Sequence, residues 1–249
     1  MGKVWLVGAG PGDPELLTLA AYRVLQCADV VLYDRLVSAE ILACVRPGAQ
    51  FVYLGKEEGE QESVQRRIHS LMAEYARQYE TVVRLKGGDP MVFGRGGEEW
   101  AFLVDRGIDV EFIPGLSCAT AVPGLAGIPL TLRGVSRSFA VITGRTAVGR
   151  PILWDQYADV DTLVILMGVR DRSAIAQALI AGGRPPDQPV AFIERGATPF
   201  ERKVVATLRE VAAGQVEVNS PAVFLVGEVV ACELRTPPFS RPLRASAAG

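Results

Sequence analysis

The sequence predicts an α/β protein of two lobes, each built on a parallel or mixed sheet. Three observations predict it. Short β-branched and apolar runs alternate with stretches of helical periodicity along most of the 249 residues. A proline and glycine cluster, Pro114, Gly115, Pro123, Gly124, Gly127 and Pro129, divides that alternation in two. The run Leu85 to Glu99 places Gly87, Gly88, Gly94, Gly96 and Gly97 among charges directly behind an apolar strand. Ligands bind there in open α/β sheets. The expected organisation is an N-terminal lobe over 1–114, a C-terminal lobe over 115–235 and a frayed tail over 236–249, with Pro237, Pro238 and Pro242 in the tail. A cleft between lobes is a favoured ligand site.

In chain order, Val4 to Val7, Val30 to Tyr33, Gln50 to Leu54, Thr81 to Leu85 and Val110 to Ile113 read as strands of the first lobe. Between the third and fourth, Val64, Ile68, Leu71, Met72 and Tyr75 recur at helical spacing, with Arg66, Arg67, Glu74 and Arg77 on the other face. His69, in this helix, reads as a polar surface residue. In the second lobe, Phe139 to Thr143, Thr162 to Met167, Pro189 to Glu194 and Ala222 to Val226 read as strands, with a helix near Asp171 to Ala181.

Composition narrows the function classes. Hydrophobic residues make up 49% and charged residues 22% of the chain, enough apolar surface for an ordered core. A net charge of -2 gives no basic field for nucleic acid. Cys27, Cys44, Cys118 and Cys232 are far apart and His69 stands alone, so metal-ligand spacing is lacking. Reduced thiols fit a cytoplasmic protein. Prolines and glycines interrupt Leu116 to Leu132, the longest weakly polar stretch, which argues against a membrane span.

Two glycine-rich segments stand out. Gly8-Ala9-Gly10-Pro11-Gly12-Asp13-Pro14 follows the first strand, yet it is not a dinucleotide fingerprint: Asp13 occupies the third glycine position, and two prolines fall where the phosphate-binding helix would start. It reads either as a tight turn or as a loop lining a cofactor. The Leu85 to Glu99 run reads as a binding loop, because glycine is costly in a helix and lets backbone approach a ligand. Asp89, before Pro90, suits a turn cap as well as a ligand contact.

Together, Val7 to Leu19, Tyr33-Asp34-Arg35-Leu36-Val37-Ser38, Gly55-Lys56, Leu85 to Glu99, Pro114-Gly115 and Ala126 to Thr131 resemble the tetrapyrrole methylases, in that family's order. The resemblance covers residues 3 to 231. It implies two unequal α/β lobes with S-adenosylmethionine bound in the cleft between them, a homodimer, and no metal. The activity implied is methylation of uroporphyrinogen III at carbons 2 and 7, through precorrin-1 to precorrin-2, towards sirohaem and cobalamin. The chain departs from common family patterns at Glu57, Glu58 and Leu132.

By the same resemblance, Pro11, Gly87, Gly88, Asp89, Val92, Ser117, Cys118, Met167 and Gly196 line the donor site. Cys118 packs there and is no nucleophile. Taken alone, Met167 equally suits core filling. Asp34 is implied as proton acceptor and Lys56 as proton donor, although ordinary pKa values near 3.9 and 10.4 make a weak base and a reluctant acid. Without the resemblance they are two surface charges. The substrate's carboxylates call for cations, and Arg35, Arg95, Arg133 and Arg145 lie in or beside the motif loops. Two other readings remain: a methylase of the same fold with a later corrin or non-tetrapyrrole substrate, and a donor-binding module without turnover.

Overall fold

The computed structural model describes residues 2–55, 61–145, 151–232 and 234. The chain divides into two compact units between Ser117 and Cys118. The expected tail, 236–249, lies outside the described residues.

In the first unit, β1 (Lys3–Gly8), β2 (Val30–Tyr33), β3 (Gln50–Tyr53), β4 (Thr81–Lys86) and β5 (Val110–Ile113) form an all-parallel sheet in the order β3-β2-β4-β1-β5. Helices cover both faces, which is why the central strands read as continuous apolar runs. Val83 and Leu85 of β4 join Val7, Val31 and Ile113 beneath Leu25 of α1 (Leu19–Leu25) and Ile41 of α2 (Ala39–Leu42). On the opposite face, Val82 joins Val4, Leu6, Val30 and Leu32 beneath Ile68 and Met72 of α3 (Gln61–Gln78) and Leu103 of α4 (Gly96–Val104). Each such side chain contributes about 1.5–3 kcal/mol of burial. Thr18 and Ser38 start α1 and α2 by accepting the Ala21 and Ile41 amides, at about 1 kcal/mol per cap.

The run expected to be loop from Leu85 to Glu99 is divided. Leu85 and Lys86 end β4, residues 87–95 are loop, and Gly96–Glu99 form the first turn of α4. Glu98 and Glu99 favour the helix N-terminus, and that preference outweighs the glycines. His69 is half-buried and stacked on Phe102 at 4.6 Å, not a free surface residue.

In the second unit, β6 (Phe139–Thr143), β7 (Thr162–Leu166), β8 (Pro189–Glu194), β9 (Arg202–Thr207) and β10 (Ala222–Val226) form a mixed sheet in the order β6-β7-β10-β8-β9. Because β10 is antiparallel to both β7 and β8, strands β6, β7 and β8 point the same way. One face packs on α6 (Arg172–Ala181) and α7 (Leu208–Ala212), where Phe192 stacks on Phe224 at 4.3 Å. The other packs on α5 (Cys118–Leu125), a helix inside the proline and glycine cluster that reads as a break in the sequence. Pro123 has no N–H for the helical ladder, and α5 ends two residues later. No helix among the described residues is long and apolar enough to cross a membrane.

Phe192 is fully buried, so Phe192→Ala is expected to lower the unfolding free energy by about 3–5 kcal/mol. Urea denaturation checks this, and a loss below about 1 kcal/mol would contradict the packing. Asp161 accepts the Arg137 amide at 2.8 Å and the Ser138 amide at 3.0 Å, beside the start of β7. These donors hold its carboxyl below the usual range. A depressed folded pKa stabilises above the unfolded value near 3.9 and is lost as pH falls through the folded value. The advantage of wild type over Asp161→Asn should therefore shrink below about pH 4; a constant gap would refute it.

Candidate active site

The C-terminal edge of the parallel sheet is held together by backbone. The Ala9 amide donates to the Lys86 carbonyl at 2.8 Å, the Gly10 amide to Gly88 at 3.2 Å and the Gly88 amide back to Gly10 at 2.7 Å. Gly10 and Gly88 take φ of 69° and 70°, a region that favours glycine. At Gly8 a Cβ would lie 2.4 Å from the Gly115 nitrogen and 2.7 Å from the Gly88 carbonyl oxygen. The loops after β1, β4 and β5 therefore meet at van der Waals contact. Asp89 ties the last two: Oδ1 accepts the Met91 amide of its own loop at 2.7 Å and Oδ2 accepts the Gly115 amide at 3.1 Å. The Ser38 hydroxyl adds a bond to the Gly12 carbonyl at 2.7 Å.

This edge collects Pro11, Gly87, Gly88, Asp89 and Val92, with Ser117 closing the segment after β5. Pro11, Gly87 and Ser117 are half-buried and Val92 is exposed. Phe93 and Arg95 hold φ of 53° and 57°, left-handed values that a non-glycine residue adopts at a cost of about 1–3 kcal/mol. Arg95 is engaged by Glu98 at 2.6 Å and Glu62 at 3.2 Å. Arg35 is exposed. Lys56, with Glu57 and Glu58, lies outside the described residues.

Asp34 follows β2 with its side chain 28% exposed. Its Oδ1 accepts the Leu36 amide at 3.0 Å, and its Oδ2 lies 3.6 Å from Arg84 Nη2. Arg84 and Lys86 share the α3/α4 face of β4 with Val82, and both are buried. Between them sits Glu99 of α4, whose Oε1 accepts Lys86 Nζ at 2.7 Å, Gln65 Nε2 at 3.2 Å and Arg84 Nε at 3.3 Å. Burial works to raise the Glu99 pKa, but the charges of Arg84 and Lys86 outweigh it and hold the carboxyl below its ordinary value. Lys86 is pushed down, first by burial and then by Arg84. Sequence reasoning missed this cluster; the available signal was Arg84, a charge set between the apolar residues of β4.

In the second unit, Arg145, Met167 and Gly196 follow the parallel strands β6, β7 and β8 and so share one edge. Met167 is 47% exposed at φ 58°. It is not filling a core. Gly196 stands between Arg195 and Ala197, both at positive φ, and a Cβ there would lie 2.3 Å from Val122 Cγ1 of α5. Cys118 opens α5, and burial pushes its thiol up, away from the thiolate a nucleophile needs. Arg133 and Arg145 are exposed, and the Arg145 amide donates to the Thr143 hydroxyl at 3.1 Å. Leu132 packs against the α5 side of the core. Among the described residues, no group of three His, Cys, Asp or Glu side chains could hold a metal ion.

The family model of the tetrapyrrole (corrin/porphyrin) methylases matches residues 3–212. The chain is 48% identical over 238 residues to the chloroplastic S-adenosyl-L-methionine-dependent uroporphyrinogen III methyltransferase of Arabidopsis thaliana, covering 92% of this chain and 64% of that protein. It is 46% identical over 231 residues to the uroporphyrinogen-III C-methyltransferase of Pseudomonas aeruginosa, covering 92% and 94%. It spans about half the length of the siroheme synthases it also matches. The uroporphyrin-III C-methyl transferase of Thermus thermophilus complexed with S-adenyl homocysteine superposes with a TM-score of 0.83 at 51% identity, covering 93% of this chain and 94% of that one. This chain belongs to the tetrapyrrole methylases.

Proposed function

We propose that this chain is an S-adenosylmethionine-dependent C-methyltransferase that methylates uroporphyrinogen III at carbons 2 and 7, giving precorrin-2 by way of precorrin-1 for sirohaem and cobalamin synthesis. The observation that carries this reading is the interlocked edge of Gly8, Gly10, Gly88 and Gly115 fastened by Asp89. With no side chains between them, the loops after β1 and β4 stay close enough for one ligand to meet Pro11, Gly87 and Val92 together. Similarity to the Thermus protein complexed with S-adenyl homocysteine supports a donor of that kind.

A sulfonium donor brings its own leaving group and positive charge. The chain's task is then to align two molecules and manage protons. Pro11, Gly87, Gly88, Asp89 and Val92 of the first unit hold the donor in this reading, as do Ser117, Cys118, Met167 and Gly196. Asp34 accepts the proton released as a pyrrole carbon gains its methyl group, and Lys56 returns a proton during the later bond rearrangement. Arg35, Arg95, Arg133 and Arg145 pair with substrate carboxylates, which match a guanidinium fork. We further infer a cytoplasmic homodimer; the four widely spaced cysteines support the first and the family resemblance the second.

An anaerobic assay with uroporphyrinogen III and labelled donor, followed by mass analysis, tests the function. Singly and doubly methylated products are expected, and absence of both would reject it. Asp34→Ala should lower turnover by about 10²–10⁴-fold while S-adenosylhomocysteine still binds; unchanged turnover would remove Asp34 as base. Calorimetry on Asp89→Ala should show donor affinity weakened by about tenfold or more, and wild-type affinity would refute its role.

A further inference from the structure

The buried charges on the α3/α4 face of β4 have no part in the assignments above. Arg84 is 3% exposed, Lys86 6% and Glu99 fully buried at the side chain. With Asp34 their formal charges balance. Stability alone is a poor account of them, because well-packed apolar side chains often replace a buried ion pair without loss. The bonding is also one-sided. Three donors converge on Glu99 Oε1, while Oε2 has no hydrogen-bond partner among the described residues. A buried acceptor left in that state calls for an explanation beyond packing.

The geometry of Arg84 shows what the buried charges can do. Nε is held by Glu99 Oε1 at 3.3 Å, and Nη1 donates to the carbonyls of Leu85 at 3.2 Å and Leu32 at 3.5 Å. That leaves Nη2 directed at Asp34 Oδ2, 3.6 Å away. The separation is too long for a hydrogen bond and short enough for an ion pair. Asp34 is thus oriented from two sides, Oδ1 by the Leu36 amide and Oδ2 by the Arg84 charge. Strand register fixes both ends: Leu32 pairs with Arg84 and Tyr33 with Leu85, so Asp34 follows β2 beside Lys86.

We propose that Arg84 and Glu99 are positioning residues for the methyl transfer: Glu99 holds Arg84, and Arg84 holds the Asp34 carboxylate at the edge of the sheet. This rests on the methyltransferase reading. Lys86 supports the arrangement by sharing Glu99 Oε1, and Gln65 anchors the same oxygen from α3.

The test measures kcat, KM, S-adenosylhomocysteine affinity and thermal midpoint for Arg84→Gln, Arg84→Lys and Glu99→Gln, with uroporphyrinogen III as substrate. Arg84→Gln and Glu99→Gln are expected to lower kcat by about 100-fold, as misplacement of a reacting group does. Affinity for S-adenosylhomocysteine should stay within about threefold. Arg84→Lys keeps the cation but loses the fork, and should recover about tenfold of the kcat lost in Arg84→Gln. Removing one partner of a buried pair can prevent folding. Should that happen, Arg84→Lys, which keeps every charge, carries the test through its own deficit of about tenfold in kcat. Wild-type kcat in Arg84→Lys would overturn the proposal. So would donor affinity falling in step with kcat, or Lys performing no better than Gln. If wild type itself yields no methylated product, the methyltransferase reading falls and this one with it; wild-type turnover beside an unaffected Arg84→Lys removes only the positioning role.

Discussion

The close approach of three backbone segments at Gly8, Gly88 and Gly115 is the constraint on which the carboxyl edge of the first unit's sheet depends. A methyl group on Gly8 would overlap both neighbours, and backbone cannot move aside as a flexible side chain can. The contact joins the loops after β1 and β4, which are neighbours because β4 returns between β2 and β1. Topology brings the loops together, glycine lets them touch, and the Asp89 carboxylate fastens the loop after β4 to the segment after β5 by accepting the Met91 and Gly115 amides. What results is a close-packed join of main chain, buried at Gly8, Gly10 and Gly88, at the carboxyl ends of parallel strands, with half-buried Pro11 and Gly87 and exposed Val92 around it.

Directly beneath that edge, the chemistry of one sheet face changes along a single strand. On β4, Val82 belongs to the apolar core under α3 and α4, while Arg84 and Lys86 on the same face belong to a buried ionic cluster. Charges this deep are stable only when paired and hydrogen-bonded, and Glu99 satisfies both cations through one oxygen. The cluster lies where the sheet gives way to the loops, so Asp34 at the end of β2 meets a fixed cation without being buried itself. The second unit shows a related economy. Three strands running the same way place Arg145, Met167 and Gly196 at one edge, with Met167, Arg195 and Ala197 strained into left-handed backbone.

Much of this was legible in the sequence. Val30–Tyr33, Val110–Ile113, Phe139–Thr143, Pro189–Glu194 and Ala222–Val226 begin and end where the residue pattern places them, since each largely apolar run is bounded by polar, proline or glycine residues. The edge strand Arg202–Thr207 escaped because its exposed positions dilute that pattern. Helix α4 escaped because glycine propensity argued for loop, while Glu98, Glu99 and tertiary packing decided otherwise. The glycine loops could be located but their pairing could not, being a product of strand order. The Arg84 cluster was hidden for a different reason. Its members come from the residue after β2 and from α3, β4 and α4, and an arginine in an apolar strand announces a partner without naming it.

The central claim is that the interlocked glycine edge is the donor site, and hydrogen exchange with and without S-adenosylhomocysteine tests it most directly. Amides of Gly8 to Gly12 and of Gly87 to Val92 should become the most strongly protected of the first unit when the compound binds. Binding that leaves both segments exchanging at their free rates would contradict the account.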